Sequence, residues 1–147
     1  MILLASIEEQ INCSSSSLFD YVTDMENYIH WFPGAIDVKE SDSLPKDQVG
    51  KQYLETLSFP TGPQNLTIEV KQFERNRFFV TEGDLEPILP RMMMKFEAME
   101  DNTCKFSLSY FSRSAELDSQ APLIQTLQAS IRQRLPIAIQ ALKEKFS

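Results

Sequence analysis

Residues 121–147 read APLIQTLQASIRQRLPIAIQALKEKFS, and the rest of the chain is organised around them. At about 100° per residue from Ile124, the side chains of Leu127, Ile131, Leu135, Ala138, Ile139, Leu142 and Phe146 fall within one arc of roughly 120°, while Gln133, Lys143 and Glu144 lie off it. The spacing predicts the one long helix of the chain, with Pro122 in its first turn, where a missing N–H costs little. A helix with a single apolar stripe needs an apolar partner surface of matching length. Two residues depart from a plain core helix. Gln128 lies inside the apolar arc. Pro136 falls mid-helix, where it leaves the Arg132 carbonyl without its usual donor and should bend the axis.

What precedes this stretch is mostly strand-like. Ile2 to Ile11 places Leu3, Ala5, Ile7 and Ile11 on one face, with Glu9 as the exception. A serine run follows, in which Ser15 or Ser16 can cap a short helix over Leu18–Val22. Asp24 can cap a second, from Met25 to Phe32, which stops at Pro33-Gly34. After Gly34 the period returns to two. Ile36 and Val38 alternate with Asp37 and Lys39. Tyr53, Glu55, Leu57 and Phe59 share a face, as do Leu66, Ile68 and Val70, then Met92, Met94, Phe96 and Ala98, then Cys104, Phe106, Leu108 and Tyr110. Turn residues separate these runs at short intervals, so the strands follow one another as hairpins. The expected order is strand, two short helices, about six further strands and one long helix. That is an α+β fold in a single domain over 1–147, its antiparallel sheet apolar on one face and covered there by the last helix.

Bulk composition narrows the function classes. Fourteen Lys and Arg stand against 21 Asp and Glu, a net charge of −7, with no long basic run. This disfavours nucleic acid and anionic membrane surfaces as partners. The cysteines, Cys13 and Cys104, are too few for a disulfide framework and form no CxxC pair. The first residues lack a basic segment and reach Glu8 and Glu9 at once, unlike a signal peptide, and no apolar run approaches a membrane span. The expectation is a cytoplasmic protein without a membrane span, a metal or a cofactor, of undetermined oligomeric state.

Residues 19–34, FDYVTDMENYIHWFPG, carry a further signal. Phe19, Val22, Asp24, Tyr28, Trp31 and Pro33, with Val49-Gly50 before Tyr53, resemble the opening of the START-like (SRPBCC) helix-grip superfamily, and within it the polyketide cyclase/dehydrase-like branch. The resemblance in order of elements covers the whole chain, and its motifs are specific over 19–34. It implies a curved sheet of about seven strands wrapped around the C-terminal helix, with a cavity between them closed at one end by the two short helices. It implies no catalytic residue, because the superfamily has no single catalytic motif, and its members bind, catalyse or act as interaction modules.

Several residues have chemistry to offer such a cavity. His30, the only histidine, stands beside Trp31 and could serve as a base, although no carboxylate is spaced to hold it. Glu55 on an apolar face would orient a polar ligand group or pair with an arginine. Tyr110 and Gln128 are similar polar groups on apolar faces. Arg91, Arg113, Arg132 and Arg134 could clamp an anionic head at a cavity mouth, or simply carry charge on the surface. The expected function is binding of a small hydrophobic or amphipathic ligand, lipid, quinone or polyketide-like. The walls would be Trp31, Tyr53, Leu57, Phe59, Met92, Met94, Phe96, Phe106, Leu108, Tyr110, Ile131 and Leu135, with Glu55 and Gln128 as orienting groups. Two alternatives stand beside it: a cyclase, dehydratase or isomerase using His30, Glu55 or Tyr110 for proton transfer, and a protein-interaction module with a filled core.

Overall fold

The computed structural model describes residues 1–147. Strand β1 (Ile2–Ile11) leads into α1 (Ser15–Val22) and a 3-10 turn (Met25–His30). Then follow β2 (Ala35–Glu40), β3 (Gln52–Phe59), β4 (Gly62–Glu74), β5 (Phe78–Gly83), β6 (Pro90–Met99), β7 (Thr103–Ser112) and the long helix α2 (Pro122–Lys145). The seven strands form one antiparallel sheet in the order β1-β7-β6-β5-β4-β3-β2. Every connection from β2 to β7 joins neighbours, as the hairpin reading requires, and β1 closes onto β7. With one long helix and two short ones, this is the α+β helix-grip arrangement.

Helix α2 is held by packing rather than by propensity. Ile124, Leu127, Leu135, Ile139 and Leu142 are all buried, each worth about 1.5–3 kcal/mol. That sum outweighs the ~3 kcal/mol intrinsic cost of Pro136, which sits exposed on the outer face while the helix runs on through it. The helix has no side-chain N-cap; Pro122 opens it, and Lys143 and Lys145 lie at its negative C-terminal end. Lys143 also reaches Glu9 of β1 at 3.5 Å, which accounts for a carboxylate on an otherwise apolar strand face.

Local details differ from the sequence reading at four points. The cap of α1 is Ser14, whose Oγ accepts the Ser17 N–H at 3.0 Å, not Ser15 or Ser16. Asp24 does cap the next element, accepting the Glu26 N–H, but that element is a 3-10 turn ending at His30. A β-bulge between Leu3 and Ala5 inserts an extra residue, so Leu4 is buried and Leu3 is half exposed. A second bulge between Ala35 and Asp37 turns Ile36 outward at 51% exposure, while Val38 stays buried. Strict alternation cannot foresee either, because one extra residue reverses the faces.

The bulges belong to a sheet that curls. Leu4 of β1 and Leu57 of β3 lie five strands apart, about 24 Å across a flat sheet. Both line the same cavity. Helix α1 and the 3-10 turn close one end, with Phe19 packed edge-on to Phe96 at 5.1 Å and Tyr28 stacked on Phe32 at 4.8 Å.

Candidate functional site

The cavity lies where the buried stripe of α2 lapses. Leu127 and Leu135 are buried, but Ile131 between them is only half-buried and faces open space. Opposite it are Glu55, Leu57 and Phe59 of β3, Leu66 and Ile68 of β4, and Thr81 and Gly83 of β5. Met92 of β6 and Tyr110 of β7 complete that wall, and Met25, Tyr28 and Phe32 close the end. About 70 Å³ can hold the centre of a water-sized molecule, inside about 720 Å³ of atom-free space counted out to the open mouth. The void is narrow. It admits a slender group, or a larger one if Met92, Leu57 and Ile131 change rotamer.

Six of the expected ligand contacts line this space: Glu55, Leu57, Phe59, Met92, Tyr110 and Ile131. The others lie elsewhere, each for a physical reason. Met94, Phe96, Phe106 and Leu108 share the inward face of β6 and β7, yet they are buried core in the part of the sheet that α1 covers. Met94 is therefore no position from which to fill the cavity. Leu135 is buried one turn beyond the void. Trp31 is core beside Tyr28 and Phe32, its indole N–H without a partner. Tyr53 faces the opposite end, toward Lys51. Gln128 donates its side-chain amide to the Leu3 carbonyl at 3.1 Å, so it ties α2 to the bulge in β1 rather than facing a ligand. His30 is exposed at the end of the 3-10 turn, outside the cavity walls.

The polar content of the cavity is small and specific. Glu55 is 5% exposed and makes no ion pair or hydrogen bond with the protein. Its register places it between Val38 and Leu66, apolar neighbours on either side. Burial alone pushes its carboxyl up from 4.5 to about 7. The Tyr28 and Tyr110 hydroxyls form a short mutual hydrogen bond that joins the 3-10 turn to β7. Burial raises both tyrosines well above their ordinary range; the Glu55 carboxylate adds to this and Arg134 opposes it, so each of these two charges reaches the hydroxyl pair. The Tyr28 partner is invisible to spacing, since it lies 82 residues from Tyr110.

The four arginines separate cleanly. Arg91 and Arg113 both pair with Glu82, at 3.1 and 3.5 Å, and Arg113 also donates to the Gly83 carbonyl. Arg132 is exposed, and only Arg134 lines the cavity. No three His, Cys, Asp or Glu side chains converge as a metal centre needs. No helix is long and apolar enough to cross a membrane.

No family model matches the sequence, and no curated protein matches it. Solved structures do match in shape. A START superfamily protein from Mycobacterium smegmatis superposes with a TM-score of 0.76 at 12% identity, over 97% of this chain and 95% of that one. The Zhui aromatase/cyclase from a Streptomyces species gives 0.76 at 9% identity, over 96% of this chain and 91% of that one. The di-domain ARO/CYC BexL gives 0.72 at 13% identity; the match covers 95% of this chain but 45% of that protein. At such identities the likeness is one of fold, and the fold is START-like.

Proposed function

We propose that the chain binds a small hydrophobic or amphipathic molecule, lipid, quinone or polyketide-like, in the cavity between the sheet and α2. The observation that carries this reading is Glu55, a carboxyl group buried without any protein partner on an apolar wall. An unpartnered buried polar group costs stability of the order of 1–3 kcal/mol or more. A ligand group that hydrogen-bonds it would offset that cost, and the surrounding apolar surface would supply most of the affinity. The aromatase/cyclase names of two structural neighbours agree with a hydrophobic occupant.

The test is titration of the purified protein with an apolar fluorescent probe such as 8-anilinonaphthalene-1-sulfonate, beside the Leu57→Trp variant. Leu57 is half-buried on the wall, so the larger ring can enter the void without displacing enclosed core. The expected outcome is at least tenfold weaker binding with an unchanged melting temperature. Equal affinity in a folded variant would remove the cavity from consideration.

A second reading is favoured by one observation. A carboxyl near neutral pKa beside two hydroxyls is poised for proton transfer, as a cyclase, dehydratase or isomerase would require. In it Glu55 exchanges the proton and Tyr110 with Tyr28 hydrogen-bonds the developing oxyanion. His30 has no part in that arrangement, being outside the cavity.

A further inference from the structure

The apolar walls of the cavity do not explain the charge at its edge. Of the six arginines in the chain, Arg75, Arg77, Arg91 and Arg113 are paired with carboxylates, and Arg132 extends into solvent. Arg134 alone is half-buried, lines the cavity and has no carboxylate within 4.0 Å or hydrogen bond to the protein. Its guanidinium rests on Gly34: a Cβ there would sit 2.5 Å from Nη1 and 2.6 Å from Cζ. Gly34 is also at φ +93°, where other residues are strained. Its carbonyl accepts the Ser58 N–H at 2.8 Å, which fixes this seat to the β3 end of the wall. Half-exposed Leu57, Ser58, Phe59 and Ile131 mark the same edge as the mouth.

We infer that Arg134 is an anion anchor at the mouth, and that the natural occupant is a slender apolar molecule ending in one carboxylate. This rests on the ligand-binding reading above and narrows its ligand class. A guanidinium presents a planar fork of donors that a carboxylate meets with two parallel hydrogen bonds. At a partly desolvated edge such a pair gains more than in water. The apolar tail then lies against Leu57, Ile131 and Met92.

Glu55 sets the pH range of this anchor. The titratable groups that share the cavity with it are Tyr28 from the 3-10 turn, Tyr110 from β7 and Arg134 from α2; β4 and β5 present only Leu66, Ile68, Thr81 and Gly83. Both tyrosines stay neutral. Below about pH 7 Glu55 is protonated and the cavity carries the single positive charge of Arg134; above it, a carboxylate ligand meets a second carboxylate.

The experiment uses decanoate and its neutral isostere decanamide, titrated calorimetrically at pH 6 into the whole chain. The expected result is decanoate binding about tenfold tighter than decanamide. In Arg134→Gln that preference vanishes, and in the exposed control Arg132→Gln it persists. Raising the pH to 8 weakens decanoate in the wild type and not in Glu55→Gln. Equal affinities in the wild type, or a preference that survives Arg134→Gln, would overturn the anchor while leaving cavity binding intact. Failure of both probes to bind would overturn the anchor and the binding reading together.

Discussion

Lys51 and Glu55 stand four residues apart, both are buried, and their surroundings are opposite. Lys51 has no exposed surface, yet it is saturated: Glu40 and Asp42 accept from its Nζ at 2.7 and 3.0 Å, and the Leu44 carbonyl at 2.7 Å. Its ammonium also lies 5.6 Å from the centre of the Tyr53 ring. Asp42 in turn accepts the Leu44 and Gln52 N–H groups, and these contacts with Lys51 hold its carboxyl below the usual range. At this end of β3 the buried charge is matched, although the Tyr53 hydroxyl has no partner, and the work of the cluster is to fasten the 41–50 loop. Glu55 has none of this and faces a void. Burial of charge is thus not one phenomenon in this molecule. Where it is matched it builds the frame, and where it is unmatched it leaves a polar group facing open space.

Substitution should separate the two ends. Lys51→Met takes the donor from the Glu40 and Asp42 carboxylates and from the Asp42 and Leu44 carbonyls, and should lower the melting temperature by on the order of 10 °C, read by circular dichroism. A shift of a degree or two would mean that the loop is fastened by something else. Glu55→Gln should act in the opposite direction and only in a defined pH range. The Glu55 pKa is raised on folding, so the folded state holds a proton that the unfolded state has released between pH 4.5 and about 7. Stability therefore falls as pH rises through this window, and the variant, which cannot ionise, escapes the fall. Denaturant titrations at pH 4 should show wild type and variant alike, and at pH 8 the variant should be more stable by about 3 kcal/mol. The smallest effect belongs to a neutral pair in the same cavity. Tyr110→Phe leaves the Tyr28 hydroxyl without its partner and should cost about 1 kcal/mol at pH 4 and pH 8 equally. A pH-dependent loss would show that the hydroxyl pair titrates with Glu55 and is part of one proton-sharing unit.

The frame was far more legible in the sequence than the cavity. Period-two runs and the stripe on α2 report average burial, and a sheet of hairpins follows from turn residues at short intervals. The motif over residues 19–34 added the expectation of a gap under the helix, which apolar periodicity cannot supply. Within the gap, periodicity assigns a face but not a depth. Met92 and Met94 are alike in sequence, and only the end of the sheet at which each lies makes one a wall and the other core. Gln128 looked like a ligand contact because its true partner, the Leu3 carbonyl, is exposed by a bulge that alternation hides. Arg134 could be told from Arg91 and Arg113 only once Glu82 was seen to occupy the latter two.

The pairing of β1 with β7, Ile2 opposite Ser112, has a consequence for how the chain is made. Strand β1 is synthesised well before β7, the only strand it pairs with. At about 5–20 residues per second, β1 waits roughly 5–20 s before β7 exists to receive it. A strand with Leu3, Leu4, Ile7 and Ile11 is then free to find a wrong edge, and Glu8 and Glu9 in its middle are charges that discourage it. Glu9, which ends in an ion pair with α2, would by this account act first as a guard during synthesis and only afterwards as a fastening.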